Sequence, residues 1–271
     1  MHKAALAHFN LSGCYDLIDV TPAILRSRLA ELKRSYQGLN VTIPHKQAVM
    51  PLLDGLTPES KIVQAVNTIR IEPDGRAIGH NTDSAGFLAA LQAASGGGTT
   101  NFPTVCLIGA GGAARAALWA VARIGAKQVV IVARTHRDAR MMRDDFAKSG
   151  GNLQIILRSP GEPLNSNAPS LIVNCTPIGL SAEAIPPWVA SLMQTALRGP
   201  VKPTFFDMVY SRSGGPTPLV KQASELGLIA CDGLSMLIEQ AALAFEFWTG
   251  LKVPTSVMAS GLSQQDANLI R

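Results

Sequence analysis

The feature that most constrains the fold of this chain is a glycine-rich turn between two apolar runs. The run before the turn, PTVCLIGA at 103–110, is typical of a buried strand, and the run after it, AARAALWAVARIGA at 113–126, is typical of a helix. The turn itself, Gly109-Ala-Gly111-Gly-Ala-Ala114, fits the pattern G-x-G-x-x-A. In this context the first glycine permits the tight turn, the second lets the backbone approach a pyrophosphate, and the small third position permits close helix–strand packing.

Such a turn predicts a dinucleotide site, because the first N–H groups of a helix have no partner within the helix and can bind phosphate. The alternative is a plain glycine turn, which is common and binds nothing. The strand before the turn and the helix after it favour the dinucleotide. The residues predicted to contact the cofactor here are Gly109, Ala110, Gly111, Gly112 and Ala113.

Further buried strands, rich in β-branched residues, follow this turn, with helical stretches between some of them. They are KQVVIVA at 127–133, LQIILR at 153–158, SLIVNC at 170–175 and TFFDMV at 204–209. Apolar strands that alternate with helices predict a parallel, doubly wound sheet. The fold class predicted for the chain is therefore α/β, with a Rossmann-like dinucleotide-binding domain.

The N-terminal part also alternates between helix and strand. The elements expected there are, in chain order, a helix at 1–11, a strand at 14–20, a helix at 21–36, a strand at 38–42, a hairpin at 66–81 and a helix at 84–94. Thr21 is expected to cap the second helix, with Pro22 at its first position. The hairpin is expected to turn at Pro73-Asp74-Gly75.

The segment SGGGTTN at 95–101 is the best linker candidate in the chain. A long apolar helix, DGLSMLIEQAALAFEFWTG at 232–250, is expected to return and pack against the N-terminal part. We therefore expect two domains with a cleft between them. They are an α/β substrate-binding domain of residues 1–100 plus 232–271 and a Rossmann-like dinucleotide-binding domain of residues 101–231.

Composition narrows the choice of ligand. Of the 271 residues, 47% are hydrophobic and 16% are charged, which indicates a compact globular chain, and the net charge of +5 suits an acidic small molecule or a phosphorylated cofactor. We expect no nucleic-acid partner, because no basic run is interleaved with aromatic residues. We expect no membrane partner, because no apolar run is long enough to span one. The four cysteines have no metal-ligand spacing, so we expect reduced thiols, no metal and a cytoplasmic location.

The end of the strand at 127–133 distinguishes between the two nicotinamide cofactors. NAD-binding folds usually carry an acidic residue there, which binds the ribose 2′-hydroxyl. This chain has Arg134 at that place, and an arginine can pair bidentately with a 2′-phosphate. Arg137 is expected to assist. The alternative is a solvated basic helix start, but the position favours NADP over NAD.

A second set of polar residues lies in NVTIPHK at 40–46, where Asn40, Thr42 and Lys46 interrupt an apolar context. Further segments of the same kind are AVNTI at 65–69, GHNTDSAGF at 79–87, NCTPIGL at 174–180 and SMLIEQAALAFEFWTG at 235–250. Together with the glycine turn, these segments resemble the shikimate dehydrogenase family, including its quinate/shikimate branch. They occur in the family's order and span residues 1 to about 250.

The resemblance implies the reversible, NADP-linked reduction of 3-dehydroshikimate to shikimate, a step toward chorismate and the aromatic amino acids, by a monomer or homodimer. It implies Lys46 and Asp83 as the catalytic pair. It also implies that the nicotinamide lies near the loop from Thr176 to Gly179. The residues implied to bind substrate are Asn40, Thr42, Asn67, Thr82, Tyr210 and Gln240. Those that complete the cofactor site are Arg134, Thr135, Arg137, Thr176, Met208 and Gly233.

The chemistry of a ketone reduction needs these residue types. The carbonyl oxygen must gain a proton, which a protonated lysine can deliver, and a nearby carboxylate can hold that lysine. Each residue also has a simpler interpretation. Lys46 could be a solvated lysine, Asp83 an N-cap of the following helix, Asn67 a hairpin cap and Gln240 a buried amide. Their joint occurrence in the family's order favours function.

The sequence departs from the family pattern in two places. The family usually begins with a strand and a loop of the form S-x-S-P, whose serines bind the substrate carboxylate, whereas this sequence starts with MHKAALAHFNL, which resembles the next helix. A truncated sequence and a diverged carboxylate site both remain open as explanations. At the 2′-phosphate position, Ala133 replaces the family's asparagine, and the second basic residue comes one place early, as Arg137.

Two other functions remain open besides shikimate dehydrogenation. The first is a related enzyme, either a quinate/shikimate or an aminoshikimate-type dehydrogenase, because the same pocket residues suit several hydroxylated rings. The second belongs to another class, a catalytically weak sensor or remnant that binds a metabolite.

Overall fold

The computed structural model describes residues 1–94, 101–164, 168–180, 185–211 and 214–262. The predicted linker at 95–101 therefore lies, except for Asn101, outside the described residues. The contacts of the chain divide it into two compact units. The first unit holds residues 1–86 and the chain from Leu237 onward, and the second holds residues 87–236.

The first unit contains four helices and four strands between its N-terminus and Ala94, as far as the described residues go. The helices are α1 (His2–His8), α2 (Leu25–Leu32), α3 (Pro58–Val63) and α4 (Asp83–Ala94), of which α4 extends into the second unit. The strands are β1 (Gly38–Asn40), β2 (Gly55–Leu56), β3 (Thr68–Ile71) and β4 (Ala77–His80). They form a sheet in the order β1-β3-β4-β2.

The register of this sheet brings polar residues of three strands into one row. β1 and β4 both pair antiparallel with β3, and Asn40, Thr68 and His80 lie opposite one another. Asn67 directly precedes Thr68, and the segment that leads into α4 directly follows His80. Residues far apart in sequence thus meet at one end of the sheet.

The hairpin predicted at 66–81 is confirmed as the pair β3–β4. Its turn contains Gly75 at a φ of +84°, a left-handed conformation that glycine adopts without strain. The carboxylate of Asp74 accepts a hydrogen bond from the backbone N–H of Arg76 at 3.1 Å, which is the usual way an aspartate stabilises a turn.

Two expectations for the N-terminal part are wrong. The segment CYDLIDV at 14–20 forms no strand, and Leu17 within it is 64% exposed. Its alternating side chains met the pattern of a strand, but a strand also needs a neighbour with which to pair its backbone. The helix predicted at 21–36 is shorter, because residues 22–24 form a 3₁₀ turn before α2 and Thr21 makes no side-chain cap hydrogen bond.

The second unit is built on the parallel sheet that the sequence predicts. Its strands are β5 (Thr104–Ile108), β6 (Gln128–Val132), β7 (Gln154–Arg158), β8 (Leu171–Asn174), β9 (Thr204–Asp207) and β10 (Ile229–Cys231). Within the described part of the chain their order is β10-β9-β8-β5-β6-β7, and every neighbouring pair is parallel. Its helices are α5 (Gly112–Arg123), α6 (His136–Lys148), α7 (Pro187–Ala196) and α8 (Pro218–Glu225).

Both faces of this sheet are buried, because successive strand residues point to opposite sides. Leu107 and Ile131 belong to the core cluster that includes residues of α5 and α6. Cys106 and Val130, one residue away, belong to the cluster that includes residues of α7 and α8. The arrangement is the doubly wound α/β fold, in which ligand sites lie beyond the carboxyl ends of the strands.

The chain ends in α9 (Leu234–Thr249) and α10 (Thr255–Ser260). From Leu237 onward α9 belongs to the first unit, where Ala241 and Phe245 share a core cluster with Ala5 of α1. The indole N–H of Trp248 donates to the carbonyl of Ile69 in β3 at 2.9 Å. The expected return of this helix to the N-terminal part is confirmed.

The boundary between the two compact units falls within α4 and within α9. The domain limits at residues 100 and 231 remain a prediction, as does a cleft between the domains. None of the helices in the described ranges is long and apolar enough to cross a membrane.

Candidate active site

The centre of the candidate site in the first unit is an ion pair between Lys46 and Asp83. Lys46 Nζ donates to Asp83 Oδ2 at 2.7 Å, and the two side chains are 16% and 5% exposed. The carbonyl of Lys46 also accepts a hydrogen bond from the N–H of Val66 at 2.7 Å, which ties this turn to the segment before β3. A buried charge is stable only when it is paired and hydrogen-bonded, so the two residues depend on each other.

Asp83 is the first residue of α4, and the interpretation of it as the N-cap is wrong. The side chain that caps this helix end is that of Asn81, whose Oδ1 accepts a hydrogen bond from the N–H of Ser84 at 3.2 Å. The carboxylate of Asp83 instead accepts hydrogen bonds from Lys46 and from Asn67. Its place in the first helical turn stabilises the negative charge through the helix dipole.

Asn67 connects the groups around Asp83. Its Nδ2 donates to Asp83 Oδ1 and to Thr82 Oγ1, both at 2.9 Å. Its Oδ1 accepts from the N–H of Thr82 at 2.8 Å and from the hydroxyl of Thr68 at 3.0 Å. Asn67 is 3% exposed, so most of its hydrogen-bonding capacity serves to fix Asp83 and Thr82.

Gln240 reaches the same cluster from α9. Its Oε1 lies 3.4 Å from Asn67 Nδ2, and its Nε2 donates to the carbonyl of Leu237 at 2.9 Å. The side chain is half-buried. The close position of α9 depends on Gly86 of α4, since a Cβ atom there would lie 2.9 Å from the backbone nitrogen of Gln240.

Asn40 and Thr42 differ in their surroundings. Asn40 Nδ2 donates to the carbonyl of Asn67 at 3.3 Å, and its Oδ1 accepts from the hydroxyl of Tyr15 at 2.9 Å. Thr42 lies in the same loop as Lys46, and its side chain is exposed. The structure therefore gathers the predicted catalytic pair and most of the predicted substrate residues of the first unit at one place. They are Asn40, Lys46, Asn67, Thr82, Asp83 and Gln240.

Sequence reasoning missed three residues of this cluster, namely Tyr15, Thr68 and Asn81. Thr68 stands next to Asn67 in AVNTI, so its position was a signal that could have been used. Asn81 precedes Thr82 and the helix start, which is where capping asparagines are expected. Tyr15 gave no such signal, because its contact with Asn40 depends on the tertiary fold.

The glycine turn in the second unit has the geometry of a phosphate site. Gly109 has a φ of +109°, and a Cβ atom there would lie 2.8 Å from Cγ2 of Thr176. Gly111 caps α5 with no side-chain hydrogen bond, and a Cβ atom on it would meet open space. The first turn of α5, which begins at Gly112 and Ala113, carries no acidic residue. The backbone N–H groups here are thus accessible to an anion, so the residues present fit a dinucleotide diphosphate.

The basic residues after β6 also fit NADP. Arg134 and Arg137 are exposed, and neither forms an ion pair within the described part of the chain. Thr135 is the N-cap of α6 and makes no side-chain cap hydrogen bond. Nε2 of His136, the first residue of α6, lies 2.8 Å from Ser159 Oγ after β7. Two guanidinium groups with no ion-pair partner among the described residues, next to a helix start without a side-chain cap, are suited to a phosphate dianion.

The remaining predicted cofactor residues, Thr176, Met208 and Gly233, follow β8, β9 and β10 in that order. Thr176 comes two residues after β8 and donates its hydroxyl hydrogen bond to Asn174 Oδ1 at 2.6 Å. The N–H of Met208 donates to the carbonyl of Asn174 at 3.0 Å. Gly233 is buried against the carbonyl of Met208, where no Cβ atom would fit. Tyr210, half-buried, belongs to the second unit and follows β9 by three residues.

Comparison with known proteins shows the family to which this chain is similar. Residues 1–69 match the family described as shikimate dehydrogenase substrate binding domain, and residues 233–260 match the one described as shikimate 5′-dehydrogenase C-terminal domain. A shikimate dehydrogenase (NADP(+)) of Magnetococcus marinus is 34% identical over 266 residues, which cover 97% of this chain and 90% of that protein.

Solved structures are similar over the same length. The crystal structure of shikimate 5-dehydrogenase from Thermus thermophilus in complex with NADP(H) and shikimate has a TM-score of 0.77 and 34% identity, covering 98% of this chain and 92% of that one. The quinate dehydrogenase of Corynebacterium glutamicum in complex with NAD has a TM-score of 0.81 and 28% identity, covering 96% and 91%. From the fold, the site geometry and these similarities together, we conclude that the chain belongs to the shikimate dehydrogenase family.

Proposed function

We propose that this protein is an NADP-linked dehydrogenase that reversibly reduces 3-dehydroshikimate to shikimate. The observation that carries the proposal is the buried ion pair of Lys46 and Asp83 within a cluster of amide and hydroxyl groups. Membership of the shikimate dehydrogenase family supports it. The chemistry that a bound nicotinamide supplies is hydride transfer to and from a ketone carbon.

Lys46 is the proton donor in this proposal. A ketone that accepts a hydride at carbon must accept a proton at oxygen, and an ammonium group can polarise that oxygen before it delivers the proton. Lys46 Nζ carries three protons, and the hydrogen bond to Asp83 uses one. The remaining N–H bonds are available to a substrate oxygen. In the oxidation direction the neutral amine takes the proton from the alcohol.

Asp83 orients Lys46 and binds a neighbouring substrate hydroxyl. Its Oδ2 holds the ammonium group, and its Oδ1 is held by Asn67, so the carboxylate cannot rotate freely. A carboxylate fixed in this way supports a protonated lysine without consuming all its own lone pairs. Asp83 also shares in the proton transfer, because it is in direct contact with the group that donates.

The ring hydroxyls of the substrate are recognised by neutral polar groups. We assign this role to Asn40, Thr42, Asn67, Thr82 and Gln240 in the first unit and to Tyr210 in the second. A hydroxyl that is absent or misplaced leaves one of these groups unpaired, which costs about 1–3 kcal/mol. This cost distinguishes shikimate from rings with a different pattern of hydroxyls.

The cofactor is assigned to the second unit. Its diphosphate is bound by the glycine turn and the start of α5, through Gly109, Ala110, Gly111, Gly112 and Ala113. Its 2′-phosphate is bound by Arg134, Thr135 and Arg137. Thr176, Met208 and Gly233, which follow β8, β9 and β10, complete the site.

The test is a steady-state assay of the 271-residue chain, followed by the absorbance of the reduced nicotinamide. Shikimate and quinate are each supplied with NADP and with NAD. We expect the largest kcat/KM with shikimate and NADP. A larger kcat/KM with quinate would replace the substrate assignment by the quinate branch, which the similarity to the quinate dehydrogenase of Corynebacterium glutamicum makes the second candidate.

A folded chain without turnover would contradict the enzymatic proposal. Calorimetric titration with shikimate then tests the sensor alternative. Binding of shikimate without turnover, in the presence of NADP, would support a metabolite-binding protein, and absence of binding would exclude both functions.

A further inference from the structure

A buried polar cluster lies at the carboxyl ends of β8 and β9, in the second unit. We call it the Asp207 cluster, and it consists of the side chains of Asn174, Thr176, Asp207 and Thr217. Asn174 and Asp207 are 0% exposed and Thr217 is 1% exposed. The proton transfer proposed above uses none of these side chains. Burying polar groups as deeply as these costs free energy unless they are hydrogen-bonded. The hydrogen bonds that they form indicate what the cluster holds in place.

Asn174 organises the loop that follows β8. Its Oδ1 accepts from the N–H of Thr176 at 3.2 Å and from the hydroxyl of Thr176 at 2.6 Å. Its Nδ2 lies 3.3 Å from the carbonyl of Thr176 and 3.1 Å from the carbonyl of Ile178. Residues 175–180 form neither helix nor strand, so this one side chain supplies hydrogen bonds that regular structure supplies elsewhere.

Asp207 connects that loop to two other segments. Its Oδ1 accepts from Asn174 Nδ2 at 2.8 Å and from the N–H of Val209 at 3.1 Å. Its Oδ2 accepts from the hydroxyl of Thr217 at 2.6 Å. Thr217 in turn caps α8, because its Oγ1 accepts from the N–H of Val220 at 3.2 Å. One carboxylate thus holds the loop after β8, the segment after β9 and the start of α8.

These hydrogen bonds fix the positions of residues assigned above to the ligands. Thr176 belongs to the first segment, and Met208 and Tyr210 flank Val209 in the second. The N–H of Gly233 donates to the carbonyl of Val209 at 3.0 Å, so a third cofactor residue is tied to the same segment. A rearrangement of the Asp207 cluster would move all four together.

We propose that Asn174 and Asp207 are positioning residues that hold Thr176 and the Met208–Tyr210 segment in place for the bound nicotinamide and substrate. The inference rests on the proposed function. It extends that function from the groups that touch the ligands to the buried pair behind them. A displacement of about 1 Å by a residue away from the reacting atoms can cost about 10²-fold in rate, which sets the scale of the effect.

The test compares Asn174→Ala and Asp207→Ala with two matched variants. Asp207→Asn keeps an Oδ1 acceptor for Asn174 and Val209, and its new amide can donate to Thr217 Oγ1. Thr204→Val removes a buried hydroxyl at the opposite end of β9, where Thr204 is 4% exposed. The four variants are compared with the wild type in kcat, in KM, in the calorimetric Kd for NADP and in amide hydrogen exchange at Thr176, Ile178 and Val209, where the N–H of Ile178 donates to Thr176 Oγ1 at 3.3 Å.

We expect Asn174→Ala and Asp207→Ala to lower kcat by about 10-fold or more and to weaken NADP binding. Amide exchange should become faster at Thr176 and Ile178 in the first variant and at Val209 in the second. Asp207→Asn should stay within about threefold of the wild type, because it keeps the connections. Thr204→Val should leave kcat and the Kd for NADP unchanged, whatever it does to stability.

Unchanged kcat and Kd for NADP in a folded Asn174→Ala variant would overturn the inference. An equal decrease of kcat in Asp207→Asn and Asp207→Ala would overturn it as well. If the alanine variants do not fold, Asn174→Ser takes their place, with the same expectation for kcat and for exchange at Thr176. The exchange and NADP-binding data need no turnover. If the wild type is inactive on shikimate, the proposed function is contradicted. The exchange and NADP-binding data would still test whether the Asp207 cluster holds the two segments in place.

Discussion

At the scale of single residues, the site depends on one buried ion pair and the amide that fixes it. Lys46 Nζ donates to one carboxylate oxygen of Asp83, and Asn67 Nδ2 donates to the other. The resemblance implied the two residues as a pair, and the structure shows their contact across 37 positions of the chain. The sequence also left open that Asp83 caps the following helix, a hydrogen bond that the structure gives to Asn81. Local pattern predicts which residue types stand at a helix start, and only the fold decides which of them caps it.

Lys46→Ala and Asp83→Ala are each expected to lower kcat by about 10²-fold or more, since each removes a member of the proton-transfer pair. The fold should persist, which circular dichroism and thermal unfolding would check. Lys61→Ala, which removes an exposed lysine from α3, is the matched control. Near-normal kcat in both variants of the pair would eliminate the assigned mechanism.

Arg134→Ala is expected to raise the Kd for NADP by about 10-fold or more and to change the Kd for NAD little, because only NADP carries the 2′-phosphate. Calorimetric titration of the two cofactors measures the ratio. Arg140→Ala, on an exposed position of α6, controls for a general loss of positive charge. An equal loss of affinity for both cofactors would mean that Arg134 does not distinguish them.

Asp207 is expected to make stability depend on pH. Burial raises the pKa of Asp207 to about 6, although hydrogen bonds from Thr217 and Asn174 lower it in part. The charge of Asp232 raises it further, and the thiols of Cys175 and Cys231 also interact with Asp207. In the unfolded chain the carboxyl ionises near its ordinary pKa of about 4. The unfolded state therefore loses this proton first as the pH rises.

The contribution of Asp207 to the free energy of unfolding should thus fall between about pH 4 and pH 6, by on the order of 3 kcal/mol. Asp207→Asn cannot titrate, so its stability relative to the wild type should increase across this window and stay constant above it. Urea unfolding of both proteins at several pH values measures the difference. A difference that does not vary with pH would show that the carboxyl titrates alike in both states.

At the scale of elements, the sequence predicted correctly those strands and helices whose pattern is local and strong. The turn at Gly75 and the alternation around it produced β3 and β4, and the glycine turn at 109–114 connects β5 and α5 as expected. The strand predicted at residues 14–20 was wrong, because an alternating pattern does not show whether a partner strand is available. The strand β10 and the helix α10 were missed, because three and six residues carry too little pattern.

Gly86→Ala is the prediction at this scale. A methyl group at Gly86 of α4 would lie 2.9 Å from the backbone nitrogen of Gln240 and 3.1 Å from its Cα atom, so α9 must move. Alanine favours a helix over glycine by up to about 1 kcal/mol, and crowding of this kind costs about 1–3 kcal/mol. We expect a net loss of stability and a raised KM for shikimate.

Urea unfolding and steady-state kinetics measure these two effects. Ala85→Ser, an exposed neighbour on the same helix, is the control and should change neither. A Gly86→Ala protein that is more stable than the wild type and has the same KM would contradict the proposed dependence of Gln240 on this contact.

At the scale of the whole molecule, the predicted ligand residues divide between the two units. Those assigned to the substrate lie in the first unit apart from Tyr210, and those assigned to the cofactor lie in the second. Hydrogen exchange with one ligand at a time tests this division. Shikimate alone should slow exchange around Asn40–Lys46 and at Asn67, and NADP alone should slow it at the start of α5 and around Arg134. If NADP alone slowed exchange only in the first unit, the assignment of the cofactor to the second unit would be wrong.

The sequence by itself determined the parts of this protein whose cause is local. A strand, a glycine turn and a helix predict a dinucleotide site at residues 109–114, because the conformation of Gly109 and the open start of α5 depend mainly on neighbouring residues. Arg134, directly after β6 and its adjoining Ala133, favours NADP over NAD, and this prediction also depends only on a local position in the sequence. The resemblance in residues 1 to about 250 supplied the candidate site residues, which stay a prediction, and the comparisons confirm the family.

Only the tertiary structure decided which of those residues meet. The row of Asn40, Thr68 and His80 depends on the register of three strands, and the contact of Gln240 with Asn67 joins positions 173 residues apart. The Asp207 cluster could not be read from the chain, because its members look like ordinary strand-end and cap residues. Hydrogen bonds between distant side chains form only where packing brings them together and excludes water, and no local pattern records that event.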